Sequence, residues 1–326
     1  MFRRQLGNIC GMQTVAKPDN HIAFQLKPIP PFRLELTAWV LRRRPVNIID
    51  RRDGQSYRRA FLVAGTPVDV AISQSGPPEA PRLQVQATGT QLSEVHRREL
   101  MRLLTDLLGI DVDLTDFYRL IARDPKLGPL VQRFRGVKPP RFPSIFEALV
   151  NAISCQQLSL AVGLTLLSRL ARHYGAKVEH DAEVAYAFPE PDVLANAVPE
   201  ELRRLGFSTN KVRALLELAT AVTDGRLDLA ELAQFKDETV LARLQELRGV
   251  GRWTAEYVLL RGLRRLYLFP GDDVGARNKL QGLLGIGEKL TYEEVHQLLK
   301  GWEPYAGLVY FHMLLDGLAQ SGYLHE

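Results

Sequence analysis

The sequence predicts an α+β protein, with a small antiparallel β-sheet domain at the N-terminus followed by a large all-helical region. Three observations carry that expectation. Short β-branched runs bounded by Gly, Pro and Asp fill residues 33–90. From about residue 93 the apolar period lengthens from two residues to between three and four. The chain has 326 residues, 46% hydrophobic and 24% charged, which suits a soluble protein of two or three domains.

The elements follow in order. Arg33-Leu34-Glu35-Leu36-Thr37-Ala38-Trp39-Val40 partly alternates polar and apolar and reads as a strand. Residues 61–64 and 68–72 read as two strands joined by a Gly65-Thr66-Pro67 turn, and residues 83–87 alternate again. Ser73 to Pro81 is a Gly/Pro-rich loop. Residues 94–108 are helical in pattern. Lys138-Pro139-Pro140-Arg141-Phe142-Pro143 stops one element before another starts. Ser144-Ile145-Phe146-Glu147 then matches a capping box, ahead of an apolar stripe of Ile145, Leu149, Ala152 and Ile153. Pro199, Gly206, Ser208 and Gly249 bound later helices. Thr291-Tyr292-Glu293-Glu294 is a second capping box, before Val295, Leu298 and Leu299. No internal repeat or low-complexity tract is visible.

The bulk properties exclude several classes. A net charge of +5 and a pI near 9.2 permit a nucleic-acid partner without demanding one. Cys10 and Cys155 make no disulfide framework, which predicts a reducing, cytoplasmic setting. Two thiols are also too few for an iron–sulfur cluster or a structural zinc. Met1-Phe2-Arg3-Arg4 leads into no apolar signal core, and no run of about 18 apolar residues predicts a membrane span.

The chemistry concentrates in one stretch. Leu247-Arg248-Gly249-Val250-Gly251-Arg252-Trp253-Thr254-Ala255 reads as a tight turn between a helix over 239–246 and another over 253–263. Two glycines allow positive φ and close backbone approach, and the second helix offers free N–H groups to a phosphate. A plain helical hairpin with Gly at its C′ position fits the same residues. Asp272 and Asp273 follow Phe269-Pro270-Gly271, where another helix should begin. Capping is one use for such an acid. A carboxylate there also has its anion favoured by the helix dipole, which suits stabilisation of a developing sugar cation.

Together these motifs resemble the helix-hairpin-helix (HhH-GPD) DNA glycosylase superfamily, and within it the 3-methyladenine DNA glycosylase II (AlkA) type. The resemblance takes in Gly249-Val250-Gly251-Arg252-Trp253-Thr254-Ala255, Leu260-Arg261-Gly262 and Phe269-Pro270-Gly271-Asp272-Asp273, with Asp273 lying 20 residues after Trp253. It extends to Ala148-Leu149-Val150-Asn151-Ala152-Ile153-Ser154-Cys155-Gln156-Gln157-Leu158-Ser159, to Leu202-Arg203-Arg204-Leu205-Gly206-Phe207-Ser208 and to Trp302-Glu303-Pro304-Tyr305. It implies a TBP-like sheet domain with flanking helices over 1–114 and a helical HhH-GPD region over 115–326. In that region, 140–250 would form a central subdomain with its hairpin at 239–263. Residues 115–139 and 264–326 would form a second subdomain, with a cleft between the two.

The resemblance also implies roles. Asp273 would be the catalytic carboxylate and Asp272 a supporting neighbour. Trp253 stands where bifunctional 8-oxoguanine enzymes carry a Schiff-base lysine, so no covalent lyase route is available through that position. Trp253 and Tyr257, one helical turn on, would wall the base pocket, with core packing as the alternative use of Trp253. Leu247, Arg248, Gly249, Val250, Gly251, Arg252 and Thr254 would form the DNA-binding hairpin. Gln157, or its neighbours Leu158 and Gln156, would fill the gap left by a flipped nucleotide, and a polar interhelix turn is the alternative. The carbonyls of Gln245, Leu247 and Val250 match positions that hold a monovalent Na+ or K+; no other cofactor is implied. The chain departs from the family at Tyr305-Ala306-Gly307, where Arg-Ser is common, and at Leu314, where the enterobacterial enzyme has a further pocket tryptophan.

The expectation is therefore a monomeric, monofunctional DNA glycosylase acting on alkylated purines in double-stranded damaged DNA. A bifunctional glycosylase/lyase using another lysine, such as Lys279, and a non-enzymatic hairpin DNA-binding module are the alternatives. Arg42-Arg43-Arg44 and Arg51-Arg52 read as a solvated face, and His312 as a structural histidine.

Overall fold

A computed structural model describes residues 19–180 and 183–324, so Met1-Phe2-Arg3-Arg4 and Cys10 lie outside the described residues. The N-terminal part contains β1 (Asp19–Leu26), α1 (Leu34–Arg42), β2 (Arg51–Asp53), β3 (Ser56–Val63), β4 (Thr66–Ser75), β5 (Arg82–Leu92) and α2 (Glu94–Leu108). Its five strands form one antiparallel sheet in the order β1-β5-β4-β3-β2. Helices α3 (Thr115–Ile121), α4 (Leu127–Arg133), α5 (Ile145–Cys155) and α6 (Leu160–Tyr174) follow. A hairpin of β6 (Lys177–His180) and β7 (Glu183–Tyr186) precedes α7 (Pro191–Ala195), α8 (Pro199–Arg204), α9 (Thr209–Thr223), α10 (Asp237–Gln245) and α11 (Arg252–Arg261). Then come α12 (Val274–Leu284), α13 (Tyr292–Leu299) and α14 (Ala306–Gln320).

Several expectations need correction. The alternating segment 33–40 is not a strand but belongs to α1. Its alternation misleads because both faces of the helix are buried. Leu34, Ala38 and Leu41 pack on the sheet, while Leu36, Trp39 and Val40 pack into a helical core with Phe117 and Phe311. The hairpin turn is Ala64-Gly65, not 65–67. Both residues have positive φ (47° and 76°), as a two-residue turn matched to strand twist requires, and Val63 pairs with Thr66. Strand β4 runs on to Ser75, which shortens the predicted loop. The strand β1 and the β6–β7 hairpin carried too little alternation to be seen. The hairpin leans on β3 through Ala60, Val178, Ala185 and Ala187, and Arg58 Nη1 meets Glu183 Oε2 at 2.7 Å. The helical region is thus not all-helical.

Besides the small cluster under the β6–β7 hairpin, the described residues form three larger cores. One lies between the sheet, α1 and α2; a second gathers α5, α6, α9 and α10; the third gathers α3, α4, α12, α13 and α14. Helix α11 is buried from Thr254 to Arg261 and feeds both helical cores, with Val258 and Leu259 in one and Leu260 in the other. A polar joint locks the sheet to α5: Arg59, 1% exposed, donates to Asp50 Oδ1 at 2.7 Å and to Glu147 Oε2 at 2.5 Å. This explains why the first capping box is only half made. Ser144 accepts from the Glu147 N–H at 3.0 Å, but the Glu147 carboxylate turns to Arg59. The second box, Thr291 with Glu294, closes in both directions. No helix among the described residues is long and apolar enough to cross a membrane.

Candidate functional site

The turn between α10 and α11 uses its two glycines differently. Gly249 has φ +75°, and a Cβ there would press on Ala214 Cβ at 3.2 Å. Gly251 is the extended N-cap of α11, with φ −94°, and a Cβ there would meet nothing within 4 Å. Positive φ, which either glycine would allow, is therefore used only at Gly249. Gly251 is exposed and leaves open space beside the first-turn N–H groups of α11, which have no partner within the helix. Arg248 ion-pairs with Glu217 at 2.8 Å. Arg252 reaches Asp272 at 2.7 Å and lies 3.8 Å over the Tyr292 ring, which ties the start of α11 to the start of α12. Thr254, expected on the DNA-facing surface, is buried instead, because its hydroxyl accepts from Gln156 Nε2 at 2.7 Å.

Asp273 is the N-cap of α12. Its Oδ1 accepts from the Ala276 N–H at 2.8 Å, and its Oδ2 accepts from Trp253 Nε1 and from the Tyr310 hydroxyl, each at 3.3 Å. Capping and exposure to a cavity are therefore compatible, one oxygen serving each. Burial pushes the Tyr310 hydroxyl well above its ordinary range and nearby Asp273 adds to this, so it stays a donor. Trp253 and Tyr257 lie side by side on α11, with ring centroids 5.5 Å apart and planes tilted by 31°.

These groups share a cavity of about 340 Å³, within the range of small-molecule sites. Leu314 lines it, and Tyr310, one turn earlier on α14, adds an aromatic ring. The cavity opens onto a groove whose walls include Gln157, Leu158, Asp272 and the hairpin from Leu247 to Gly251. In that groove Gln156 is occupied: its Nε2 donates to the Gly249 carbonyl at 2.7 Å as well as to Thr254. Gln157, with φ +54°, and Leu158, 42% exposed, are the candidate wedge residues left projecting at the surface. Gln245, Leu247 and Val250 line the same groove, and the Leu247 carbonyl accepts from the Val250 N–H at 3.1 Å.

The arginine run was misjudged as a solvated face. Arg43 is 5% exposed and lines the cavity, with Nη1 donating to Asn151 Oδ1 at 3.1 Å and to the Tyr257 oxygen at 3.3 Å. Three identical side chains give no local sign of which one turns inward; the positive φ of Arg43 (59°) at the end of α1 decides it. Arg51 pairs with Asp69, and Arg52 with Glu35 at 3.4 Å. Tyr310 was also missed, since only its neighbour Leu314 carried a signal. Lys279 borders the cavity, and burial lowers its ammonium pKa. His312 is fully buried, its Nδ1 2.8 Å from the Leu308 carbonyl, and takes no part in the site. Gly307, the departure from the common Arg-Ser, sits where a Cβ would meet the Leu266 and Leu268 carbonyls at 2.7 Å. Among the described residues, no group of three or more His, Cys, Asp or Glu side chains is placed to hold a metal ion.

Residues 150–304 match the family described as HhH-GPD superfamily base excision DNA repair protein. The chain is 28% identical over 217 residues to a DNA-3-methyladenine glycosylase of Bacillus subtilis (strain 168), covering 67% of this chain and 72% of that protein. It is 30% identical over 187 residues to DNA-3-methyladenine glycosylase 2 of Escherichia coli (strain K12), covering 57% of this chain and 63% of that protein. Among solved structures, 3-methyladenine DNA-glycosylase from Archaeoglobus fulgidus superposes with a TM-score of 0.80 at 26% identity, covering 93% of this chain and all of that one.

Proposed function

Because residues 150–304 match the family described as HhH-GPD superfamily base excision DNA repair protein, we propose that this protein is a monofunctional DNA glycosylase whose catalytic carboxylate is Asp273. The observation that carries the reading is Asp273 itself. It is fixed by a helix N–H on one oxygen and by two cavity donors on the other, where the cavity meets the hairpin groove.

Duplex DNA would lie along the groove, with a phosphate at the N-terminus of α11. The damaged nucleotide would be flipped into the cavity, with Gln157 or Leu158 taking its place in the stack. Trp253 and Tyr257 stack on the base, and their π-faces attract an electron-poor, alkylated purine of the 3-methyladenine or 7-methylguanine kind. Such a base is already cationic, so the C1′–N bond breaks with its electron pair leaving on a neutral purine. Asp273 stabilises the oxocarbenium-like sugar and takes a proton from the water that attacks C1′. The carbonyls of Gln245, Leu247 and Val250, which line one side of the groove, would hold a monovalent cation beside a DNA phosphate. The protein would work as a monomer, in the cytoplasm beside the nucleoid.

Trp253 offers no amine for an imine, whereas Lys279 at the cavity edge favours the second reading, a glycosylase/lyase. Incubation with lesion-bearing duplexes under borohydride separates the two. The monofunctional reading expects free base, an intact abasic strand and no trapped adduct. A trapped protein–DNA band that disappears in Lys279→Ala would establish the lyase.

A further inference from the structure

We propose that Arg43 is a specificity-determining residue of the base cavity, selecting purines that carry a carbonyl oxygen at C6 over those that carry an amino group there. The proposal rests on the glycosylase reading above. Arg43 comes from the sheet domain, at the end of α1, and its positive φ of 59° turns it into the cavity. Strained backbone at a non-glycine residue needs support from its surroundings, and such strain tends to collect at binding sites.

The electrostatic surroundings of Arg43 are incomplete. It forms no ion pair with any carboxylate among the described residues, and its Nε is buried without a hydrogen-bond partner. Asp50, a carboxylate that acts on it, is committed to Arg59 and to the Tyr57 hydroxyl, each at 2.7 Å. The Cys155 thiol beside it is pushed up by burial and stays neutral at physiological pH. Two of its hydrogen bonds leave from Nη1 and end on the Asn151 Oδ1 and Tyr257 oxygens, and the Cys155 thiol is a further hydrogen-bonding neighbour, so no partner carries a full negative charge. Arg261, also fully buried and without an ion pair among the described residues, adds a second positive charge behind Tyr257. Buried charge of this kind is costly unless an acceptor completes it.

A flipped purine can supply that acceptor. A C6 carbonyl oxygen takes a guanidinium hydrogen bond, as guanine O6 does in DNA grooves. A C6 amino group instead sets donor against donor and leaves both unpaired, and sites built around a hydrogen bond reject analogues that lack the partner. Hypoxanthine and 7-methylguanine are therefore the favoured class, and 3-methyladenine, which keeps its C6 amino group, the disfavoured one.

The test is single-turnover excision of these three lesions by the wild type, Arg43→Leu and Arg43→Gln, with each protein's folding checked by its thermal transition. The selectivity for 6-oxopurines over 6-aminopurines should fall by about tenfold or more in Arg43→Leu, the scale of one hydrogen bond to a charged group. Arg43→Gln, which keeps a neutral donor, should recover part of it. An equal loss on all three lesions, or unchanged selectivity in both variants, would overturn the proposal. If Arg43→Leu does not fold, Arg43→Gln alone decides, by whether the ratio moves. A wild type that releases none of the three bases contradicts the glycosylase reading itself.

Discussion

At the scale of residues, the site divides into what spacing reveals and what only packing reveals. Trp253, Tyr257 and Asp273 were singled out through the family resemblance of the hairpin and of the segment that caps the next helix, and the structure brings all three to one cavity. Tyr310 and Arg43 arrive from α14 and α1, with no local pattern to mark them. Tyr310 donates to the Asp273 oxygen that also accepts from Trp253. Tyr310→Phe should therefore lower the single-turnover excision rate by roughly tenfold while leaving affinity for product DNA intact. A rate within a factor of two of wild type would show that the hydroxyl is idle. His312 gives a pH signature. Burial lowers its pKa from 6.5 to about 4, so above 6.5 it is neutral in both folded and unfolded chains and costs nothing. As pH falls from 6.5 towards 4 the unfolded chain binds the proton first, and about 3 kcal/mol of stability is lost. Urea midpoints of wild type and His312→Gln should converge as pH falls through that window; parallel profiles would refute the assignment.

At the scale of elements, the two hairpin glycines separate folding from binding. Gly249→Ala places a Cβ at φ +75° and against Ala214, so it should cost roughly 1–2 kcal/mol and lower the melting temperature. Gly251→Ala has neither problem within the protein. It should melt like wild type yet bind duplex DNA more weakly, because the open space beside the α11 N-terminus is where a phosphate would approach. Unchanged affinity in Gly251→Ala would move the phosphate elsewhere. The elements themselves were legible where one face is buried and caps are local. Helix α2 starts and ends where its pattern does, and the Thr291 box closes as read. Helix α1 was misread because burial on both faces erased its period, and the short β6–β7 hairpin is defined by its contact with β3 rather than by its own sequence.

At the scale of the whole molecule, the sheet domain is part of the site rather than an appendage. Arg59 joins β3 to α5, Arg261 donates to the Val40 carbonyl at 3.3 Å, and Arg43 enters the cavity beside residues of α5 and α11. None of these joints could be read from sequence, because each pairs residues dozens to hundreds of positions apart. Arg59→Leu leaves Asp50 and Glu147 buried without their cation and should cost about 3–5 kcal/mol. A urea midpoint within 1 kcal/mol of wild type (about the worth of an exposed pair) would contradict that account. The central claim is that chemistry runs through Asp273, and single-turnover excision by Asp273→Asn tests it most directly. The account expects a folded protein that binds lesion DNA as tightly as wild type and releases base at least about a thousandfold more slowly. Release at the wild-type rate would remove Asp273 from the reaction.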